Sequence, residues 1–252
     1  MLDSLFKHTP GLSPQDVVII DDGSSERELQ VLRRMASEYH VVFGEHRRNL
    51  GIPAGWNHAT DALKTDVVVL LNDDVLLAKG WLDAISYFVE NNPKAGLVGL
   101  HAYDETGKVF CTSDGAKQYD VNFAVPHRGL CANGFCFGFR KELWSNNGGF
   151  DEMYTSFYEE CDLGLQFSRQ GYFGYNLPWP VIQHEWGVTF RENESQLLPK
   201  IRMEQSRERF VNKWGGDIAA MYARHVTPVE PEPLVWLQDG KSVSGFSIDM
   251  VR

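Results

Sequence analysis

The feature that most constrains the fold is a short apolar run with polar residues at its end. The run is Val67–Leu71, and a continuous apolar stretch of this length is typical of a strand covered on both faces. Asn72, Asp73 and Asp74 follow it directly. Open α/β sheets bind ligands beyond the carboxyl ends of such strands. Two adjacent carboxylates there are good ligands for Mg²⁺ or Mn²⁺, and a capped turn is the alternative interpretation.

The composition restricts the class of partner. The 252 residues include 34 acidic and 24 basic side chains, a net charge of −10, which argues against binding to the phosphate backbone of a nucleic acid. No apolar run approaches the roughly 20 residues that cross a bilayer, and residues 1–10 lack the apolar core of a signal peptide. We therefore predict a cytoplasmic protein. Peripheral association with the inner face of the membrane and a homodimer both stay open.

The cysteines do not form a recognisable metal or redox motif. None of the four belongs to a C-x-x-C pair, so we expect ordinary reduced thiols rather than zinc ligands or disulfides. They are Cys111, Cys131, Cys136 and Cys161.

Strand and helix patterns alternate over residues 17–100. This alternation predicts an α/β fold with a mostly parallel, doubly wound sheet and flanking helices. Ser25 and Glu28 have the spacing of a capping box at the start of one helix, and Pro53 suits the first turn of the next.

The pattern changes beyond residue 100. Residues 130–139 are predicted to form a strand, and residues 159–170 an amphipathic helix. Three prolines mark residues 226–252 as a tail that resembles a linker.

Two loops carry polar residues that suit a nucleotide. Asp21 and Asp22 follow an apolar run, where a carboxylate can accept a hydrogen bond from a base or a ribose. A capped strand-to-helix turn explains them equally well. Arg48, Asn49 and Gly51 lie in the next loop, where glycine lets the backbone approach a ligand and arginine binds phosphate or stacks on a base. A flexible connection is the alternative there.

Acidic residues and a histidine farther along the chain are candidates for catalysis. Glu159 and Glu160 begin the helix predicted from residue 159, and the dipole of a helix helps to keep a carboxylate ionised and ready to take a proton from a hydroxyl. A solvated first turn is the alternative. His184 becomes a candidate metal ligand only if the fold brings it near Asp74.

Seven segments, taken in order, resemble the inverting glycosyltransferases of family 2, which have the GT-A fold. They are VVIIDDGSS (17–25), NLGIPAGWN (49–57), VVVLLNDD (67–74), NGFCFGFR (133–140), GGFDE (148–152), EECDLGLQFSRQG (159–171) and HEWGVT (184–189). The set is most similar to rhamnosyltransferase-type members from bacteria. It implies a GT-A domain over residues 1–225, with a nucleotide-binding half over about 1–100 and an acceptor half over about 101–225.

The resemblance also implies roles on the donor side. Asp22 would contact the nucleotide base, with Asn49 beside it. Asp74 would bind the divalent cation on the donor diphosphate as the last acid of a D-x-D-like motif, and Asp73 would contact ribose or metal. His184 would be a later contact to the metal or the diphosphate. The other residues expected to bind the nucleotide sugar are Asp21, Arg48, Gly51, Asn72, Glu159 and Arg191.

The resemblance implies that the general base is the second acid of an E-D motif. This chain has Glu160 at that position, where the family has aspartate. Glutamate is longer by one methylene, so its reach to an acceptor hydroxyl differs. Asp162, on the same turn, is the fallback base.

The chain departs from the family at its start. Family members begin with a central strand that touches the nucleotide, so the resemblance implies that about a dozen residues are absent before Met1. A missing central strand would leave unpaired backbone groups in the core. We favour a truncated start, and the alternatives are that residues 234–238 or 242–250 insert there, or that a partner chain supplies a strand.

Together these residues predict a metal-dependent, inverting enzyme. It would move a hexose or deoxyhexose from a nucleoside-diphosphate sugar to a hydroxyl of a glycan, a lipid-linked acceptor or a surface polysaccharide. A non-catalytic nucleotide- or sugar-binding module is the main alternative, because Glu160 replaces aspartate and a strand is absent. A nucleotidyltransferase is less favoured, since no Gly-rich phosphate loop follows the first predicted strand.

Overall fold

A computed structural model describes residues 1–104, 106–112, 117–118, 126–185, 197–225, 236–238 and 241–243. The helices in these ranges are α1 (Leu2–His8), α2 (Glu26–Tyr39), α3 (Ile52–Ala62), α4 (Trp81–Asn91), α5 (Lys141–Asn146), α6 (Glu159–Ser168), α7 (Leu197–Trp214) and α8 (Ile218–His225), with a 3₁₀ turn at Pro14–Asp16. The capping box predicted for α2 is confirmed, since Ser25 and Glu28 each accept the backbone N–H of the other.

The strands alternate with the helices in the first part of the chain and then follow one another. They are β1 (Val18–Asp21), β2 (Val42–Glu45), β3 (Val67–Leu71), β4 (Val75–Leu76), β5 (Ala95–Tyr103), β6 (Val109–Thr112), β7 (Lys117–Gln118), β8 (His127–Gly129), β9 (Cys136–Arg140), β10 (Phe173–His184), β11 (Trp236–Gln238) and β12 (Lys241–Val243).

The main sheet has the order β3-β9-β5-β10-β4 and is mixed. Only β5 and β10 pair in parallel in this sheet, while β9 runs antiparallel to both β3 and β5. The α/β class is therefore confirmed, but the expectation of a mostly parallel sheet was wrong. The βα alternation ends after β5, and β9 then inserts in the opposite direction between two strands that come earlier in the chain.

Strands β1 and β2 form a separate parallel pair. Among the described strands, β1 pairs only with β2 and β3 pairs only with β9. Their apolar side chains are only half-buried at Val18, Ile19 and Ile20 of β1 and at alternate positions of β3. In the described structure, β1 and β3 thus each have one edge that no other strand pairs with.

The core consists of apolar clusters on the two faces of the main sheet. Strand β5 is buried along almost its whole length, as expected for a central strand. Helices α1 and α4 cover one face, where Leu5 and Ile85 pack. On the other face, Leu163 of α6 packs with Phe137 of β9. A third cluster around Phe210 joins α6 to α7 and α8.

Two predicted elements differ in their bounds. The strand expected over residues 130–139 begins only at Cys136, because the N–H of Asn133 donates to Oδ1 of Asn176 at 2.8 Å and residues 130–135 turn. The helix expected over residues 159–170 ends at Ser168, where Gly171 follows with a φ of 85°.

Helix α6 lies directly against the backbone that precedes this turn. A Cβ added to Gly164 would lie 2.4 Å from the carbonyl oxygen of Leu130. A Cβ on Gly174 of β10 would lie 2.6 Å from the carbonyl carbon of Cys131. The two glycines thus allow α6 and β10 to hold residues 130 and 131 between them.

We expect the Gly164→Ala substitution to destabilise the protein by about 1–3 kcal/mol, because the new methyl group would overlap a backbone oxygen that cannot move freely. The control is Gly55→Ala in α3, where the added Cβ would meet nothing closer than 3.9 Å. That substitution should stabilise by about 0.5–1 kcal/mol, since alanine favours the helix. Urea unfolding measures both, and equal changes of the same sign would contradict the close packing of α6.

Candidate active site

The ends of β3 and β10 bring an aspartate and a histidine together. Strand β4 pairs antiparallel with the end of β10, where Val75 lies opposite His184, and the N–H of Glu185 donates to the carbonyl of Asp74 at 2.9 Å. Nε2 of His184 lies 3.0 Å from Oδ1 of Asp74. The fold therefore brings His184 next to Asp74, as its candidacy as a metal ligand requires.

This pair fits a divalent cation. His184 is 6% exposed, and the buried Oδ1 of Asp74 has its 3.0 Å contact with His184 but no aligned hydrogen bond. Burial and the negative charge of Asp74 raise the pKa of Asp73. In the described part of the chain, no group of three or more His, Cys, Asp or Glu residues is arranged to hold a metal. Asp74 and His184 could thus supply two ligands, and the phosphates of a substrate and water would supply the others.

Asp21 and Asp22 hold the backbone of two loops. Asp21 is buried and accepts from the N–H groups of Gly23 and Ser24, both at 3.1 Å. The oxygens of Asp22 accept from the N–H groups of Leu50 and Gly51, both at 2.8 Å. Asp21 therefore caps its own turn, while Asp22 fixes the loop that carries the other predicted nucleotide contacts.

Two histidines that the sequence analysis missed extend from Asp22. Nδ1 of His46 lies 2.8 Å from Oδ1 of Asp22, and its Nε2 lies 2.7 Å from Nδ1 of His58. Both histidines lie in the segment around the predicted nucleotide loop, but their pairing depends on the fold. No local spacing rule would have found it.

The predicted nucleotide loop touches both the DDG turn and the segment before α6. A Cβ on Gly23 would lie 2.5 Å from the backbone of Arg48 and Asn49, whose own side chains are exposed. Gly51 has a φ of 97°, and the N–H that follows it donates to the carbonyl of Thr155 at 3.1 Å. The loop therefore connects the β1 end of the site with the start of α6.

The two glutamates at the start of α6 are enclosed. Glu159 is 4% exposed, and its Oε2 has no hydrogen-bond partner. A Cβ on Gly134 would lie 3.2 Å from Oε1 of Glu160, so the absence of a side chain at residue 134 makes room for that carboxyl group. Phe157 and Tyr158, just before α6, both have a positive φ. Left-handed backbone at two bulky residues is strained, and such strain is typical of functional sites.

The environment raises the pKa of both acids. Burial raises the pKa of Glu159 well above its usual value, and the charge of Glu160 adds to this effect. Burial also raises the pKa of Glu160, against the opposing hydrogen bonds of the Glu160 and Cys161 N–H groups. Among the described residues, no cation forms an ion pair with either carboxylate. Two neighbouring acids of this kind bind protons more strongly than exposed glutamates do, which is typical of functional sites.

Asp162, the fallback base, has a different environment. It is fully buried and accepts hydrogen bonds from four side chains. The donors are Lys213 Nζ at 2.9 Å, Trp214 Nε1 at 2.7 Å, Gln166 Nε2 at 2.8 Å and the Tyr154 hydroxyl at 3.2 Å. The geometry therefore favours a structural role for Asp162, in which it attaches α6 to α7.

The aspartate of the GGFDE segment belongs to the same network of hydrogen bonds. Asp151 lies 3.0 Å from Nζ of Lys213 and 3.1 Å from Nη2 of Arg209. Burial opposes ionisation of Asp151, but hydrogen bonds from Lys213, Met153 N–H and Arg209 outweigh it and lower its pKa. A cavity of about 650 Å³ adjoins this network and is lined by Asp151, Gln205, Glu208, Arg209, Asn212 and Lys213. It lies beside α7 rather than at the two glutamates.

One turn joins the parts of the site. The carbonyl of Phe135 accepts from the N–H of Asn72 at 2.9 Å, and its ring lies 4.5 Å from that of His184 between centroids. Gly134, the preceding residue, faces Glu160. The structure thus links the end of β3, the end of β10 and the start of α6. Arg191 lies outside the described residues.

The sequence profile of glycosyl transferase family 2 matches residues 1–147, which is more than half of the chain. The chain belongs to this family. The fold of its solved relatives is GT-A, and the α/β architecture described above agrees with it.

Two curated proteins of this kind match the chain. The putative glycosyltransferase EpsE of Bacillus subtilis (strain 168) is 25% identical over 170 residues, covering 64% of this chain and 59% of that protein. Polypeptide N-acetylgalactosaminyltransferase 8 of Drosophila melanogaster is 23% identical over 234 residues, covering 84% of this chain and 39% of that protein. The chain therefore spans about half the length of these relatives.

Solved structures share the fold at low sequence identity. GalNAc-T7 with UDP, GalNAc and Mn²⁺ has a TM-score of 0.66 at 15% identity, covering 86% of this chain and 45% of that one. The mannosyltransferase PcManGT of Pyrobaculum calidifontis, in complex with GDP-Man and Mn²⁺, has a TM-score of 0.54 at 16% identity, covering 89% and 68%. Among the described helices of this protein, none is both long enough and apolar enough to span a membrane.

We expect the Lys213→Met substitution to destabilise the protein by about 1–3 kcal/mol, because it leaves the buried carboxylate of Asp162 without its cation. Lys200→Met, at an exposed position of the same helix, is the control and should change stability by less than about 0.5 kcal/mol. Chemical denaturation measures both. Equal losses of stability in the two variants would show that Lys213 contributes no more than an exposed lysine does.

We also expect Glu159→Gln to stabilise the protein at high pH. The pKa of Glu159 is raised in the folded state above its usual 4.5, so its contribution to stability is present below about pH 4.5 and is lost as the pH rises through the folded-state pKa. Glutamine does not ionise, so the variant does not lose this stability as the pH rises. The melting temperature of the variant should exceed that of the wild type at about pH 8, and the difference should shrink towards about pH 4. Glu90→Gln, an exposed control, should show no such trend.

Proposed function

We propose that this family 2 protein transfers a sugar from a nucleoside-diphosphate sugar to a hydroxyl acceptor, with inversion and with a divalent cation. The observation that carries the proposal is the turn at Gly134 and Phe135. It faces Glu160 on one side and His184, the partner of Asp74, on the other. A proton acceptor and a cation-binding pair therefore lie on two sides of one turn.

Glu160 would act as the general base. Its carboxylate would take the proton of the acceptor hydroxyl while that oxygen attacks the anomeric carbon from the face opposite the diphosphate. Its raised pKa keeps its proton affinity closer to neutrality than that of an exposed glutamate. The pKa of Glu159 is raised further, by burial and by the charge of Glu160, so Glu159 would hold its proton more strongly than Glu160 does.

Asp74 and His184 would hold Mn²⁺ or Mg²⁺, with Asp73 beside them. A bound cation supplies positive charge against the diphosphate leaving group. The position of Oδ1 of Asp74 supports this assignment, because this buried oxygen contacts His184 without an aligned hydrogen bond and so keeps lone pairs that a cation can use.

The nucleotide would lie over the first half of the site, within residues 1–100. Asp22 fixes the loop that carries Arg48 and Asn49, and the exposed side chains of those two residues suit contacts to the base and the diphosphate. Two solved relatives contain UDP or GDP-Man, which supports a nucleoside-diphosphate sugar as donor. Arg191 remains a proposed contact to the diphosphate.

The acceptor would lie over the second half, within residues 101–225. The cavity beside α7 is lined by two acidic, two basic and two amide side chains, which suit hydroxyl groups of a glycan or a lipid-linked sugar other than the hydroxyl that would react at Glu160. A role in polysaccharide synthesis follows from such an acceptor.

A non-catalytic binding module is the second candidate function. The unpaired edges of β1 and β3 in the described structure favour it, because they lie on the side where the nucleotide would bind. A module of this kind would bind the donor without turning it over.

A thermal-shift panel of nucleoside diphosphates and their sugars, with and without Mn²⁺, tests the proposal together with an assay of donor hydrolysis. Binding stabilises by mass action, so one donor should raise the melting temperature selectively. Glu160→Gln should keep this shift and lower turnover by about 10²–10⁴-fold. Asp74→Asn should lose the part of the shift that depends on Mn²⁺.

Each result has a defined meaning. A donor-dependent shift without turnover in the wild type would support the binding module instead. Full turnover in Glu160→Gln would exclude Glu160 as the base, and Glu90→Gln serves as the matched control for loss of a negative charge at an exposed site.

A further inference from the structure

Two cysteine sulfur atoms are in contact beside the proposed base. Sγ of Cys131 lies 2.9 Å from Sγ of Cys161, and the two residues are 1% and 2% exposed. The thiol of Cys161 also donates to Oε1 of Glu160 at 3.7 Å. The sulfur pair and the proposed base therefore form one continuous contact.

The backbone holds the two sulfur atoms together. Helix α6 carries Cys161 in its first turn, and its Gly164 lies against residues 130 and 131. Gly174 of β10 contacts the backbone of Cys131 from the other side. Because residue 131 is held between a helix and a strand, the backbones of Cys131 and Cys161 stay close together.

The third buried cysteine lacks this arrangement. Cys136 is fully buried in β9, and burial alone raises the pKa of its thiol. Cys161 differs, because the larger cause of its raised thiol pKa is the hydrogen bond with Cys131, and burial raises the pKa further. Cys136 is therefore a natural control for burial without a sulfur partner.

We propose that Cys131 and Cys161 form a reversible disulfide on exposure to a hydroperoxide, and that this bond stops sugar transfer by displacing Glu160. The inference rests on the proposed function for its effect on activity, but not for the formation of the bond. Disulfide sulfur atoms are about 2 Å apart, so closure requires the two side chains to move by about 1 Å.

The chemical step balances with one molecule of hydrogen peroxide. Glu160 takes the proton of the Cys161 thiol, and the resulting thiolate attacks one peroxide oxygen. The O–O bond breaks, and the leaving hydroxide takes up that proton to form water, which leaves a sulfenic acid on Cys161. The sulfur of Cys131 then attacks the sulfur of Cys161, the S–O bond breaks, and a second water forms with the proton of the Cys131 thiol.

The position of Cys161 explains the effect on activity. Cys161 follows Glu160 directly in the first turn of α6, and the two residues before this turn have left-handed backbone. A covalent bond from Cys161 to Cys131 removes the thiol donor of Glu160 and shifts the turn that positions its carboxyl group. Reduction with dithiothreitol restores the thiol donor and the position of the turn.

The test begins with the whole protein treated with hydrogen peroxide and then mapped by mass spectrometry without reduction. We expect a loss of two hydrogen atoms in mass and a single cross-link between the peptides of Cys131 and Cys161. Dithiothreitol should reverse it. Absence of this cross-link, or a cross-link to Cys136 instead, would overturn the proposal without bearing on the proposed function.

Activity is measured on the same samples by donor hydrolysis. Peroxide should lower the turnover of the wild type at least 10-fold, and dithiothreitol should restore it. Cys131→Ala should form no cross-link, stop at the sulfenic acid on Cys161 and lose less turnover than the wild type, because no bond displaces the first turn of α6. Cys136→Ala should respond like the wild type. Equal inactivation of Cys131→Ala, or full activity of the cross-linked wild type, would disprove the effect on Glu160. Should Cys131→Ala fail to fold, the recovery of the wild type with dithiothreitol decides the same point.

Discussion

The turn over residues 133–135 is the constraint on which the rest of the candidate site depends. Hydrogen bonds to two neighbouring strands fix its backbone inside the sheet. Its outer side contacts Asn72, His184 and Glu160, which come from three different elements. Because these contacts meet at one short segment, the spacing between the cation-binding pair and the proposed base is set by the fold rather than by loops. Sites built in this way hold their geometry without a ligand.

The start of α6 combines two glutamates in an unfavourable environment with an aspartate that is firmly hydrogen-bonded to α7. Glu159 is buried and Glu160 is half-buried, and neither has a cation partner in the described structure, which opposes folding at neutral pH. In the same turn, Asp162 is hydrogen-bonded to α7 through Lys213 and Trp214. The second interaction compensates for the first, since it holds the helix in a position that the two enclosed acids alone would not favour.

The sequence predicted the features that depend on neighbouring residues. The end of β3 with Asp74, the capping box of α2 and the glutamates at the start of α6 were all visible as local patterns. The mixed sheet was not, because the position of β9 between two earlier strands depends on pairing between distant residues. The chain of hydrogen bonds from Asp22 through His46 was missed for the same reason, since histidines have no local spacing that indicates such a contact.

Strand β10 has a consequence for how the protein is made. It contacts β5, β8 and β4 along one continuous segment, and its last residue is His184. Asp74 leaves the ribosome long before its partner does, so the nascent chain has its first acids in place but no complete site. High contact order of this kind slows folding and leaves the apolar flank of β5 uncovered during translation. The contact between Asp74 and His184 would therefore form last, once the whole central sheet is complete.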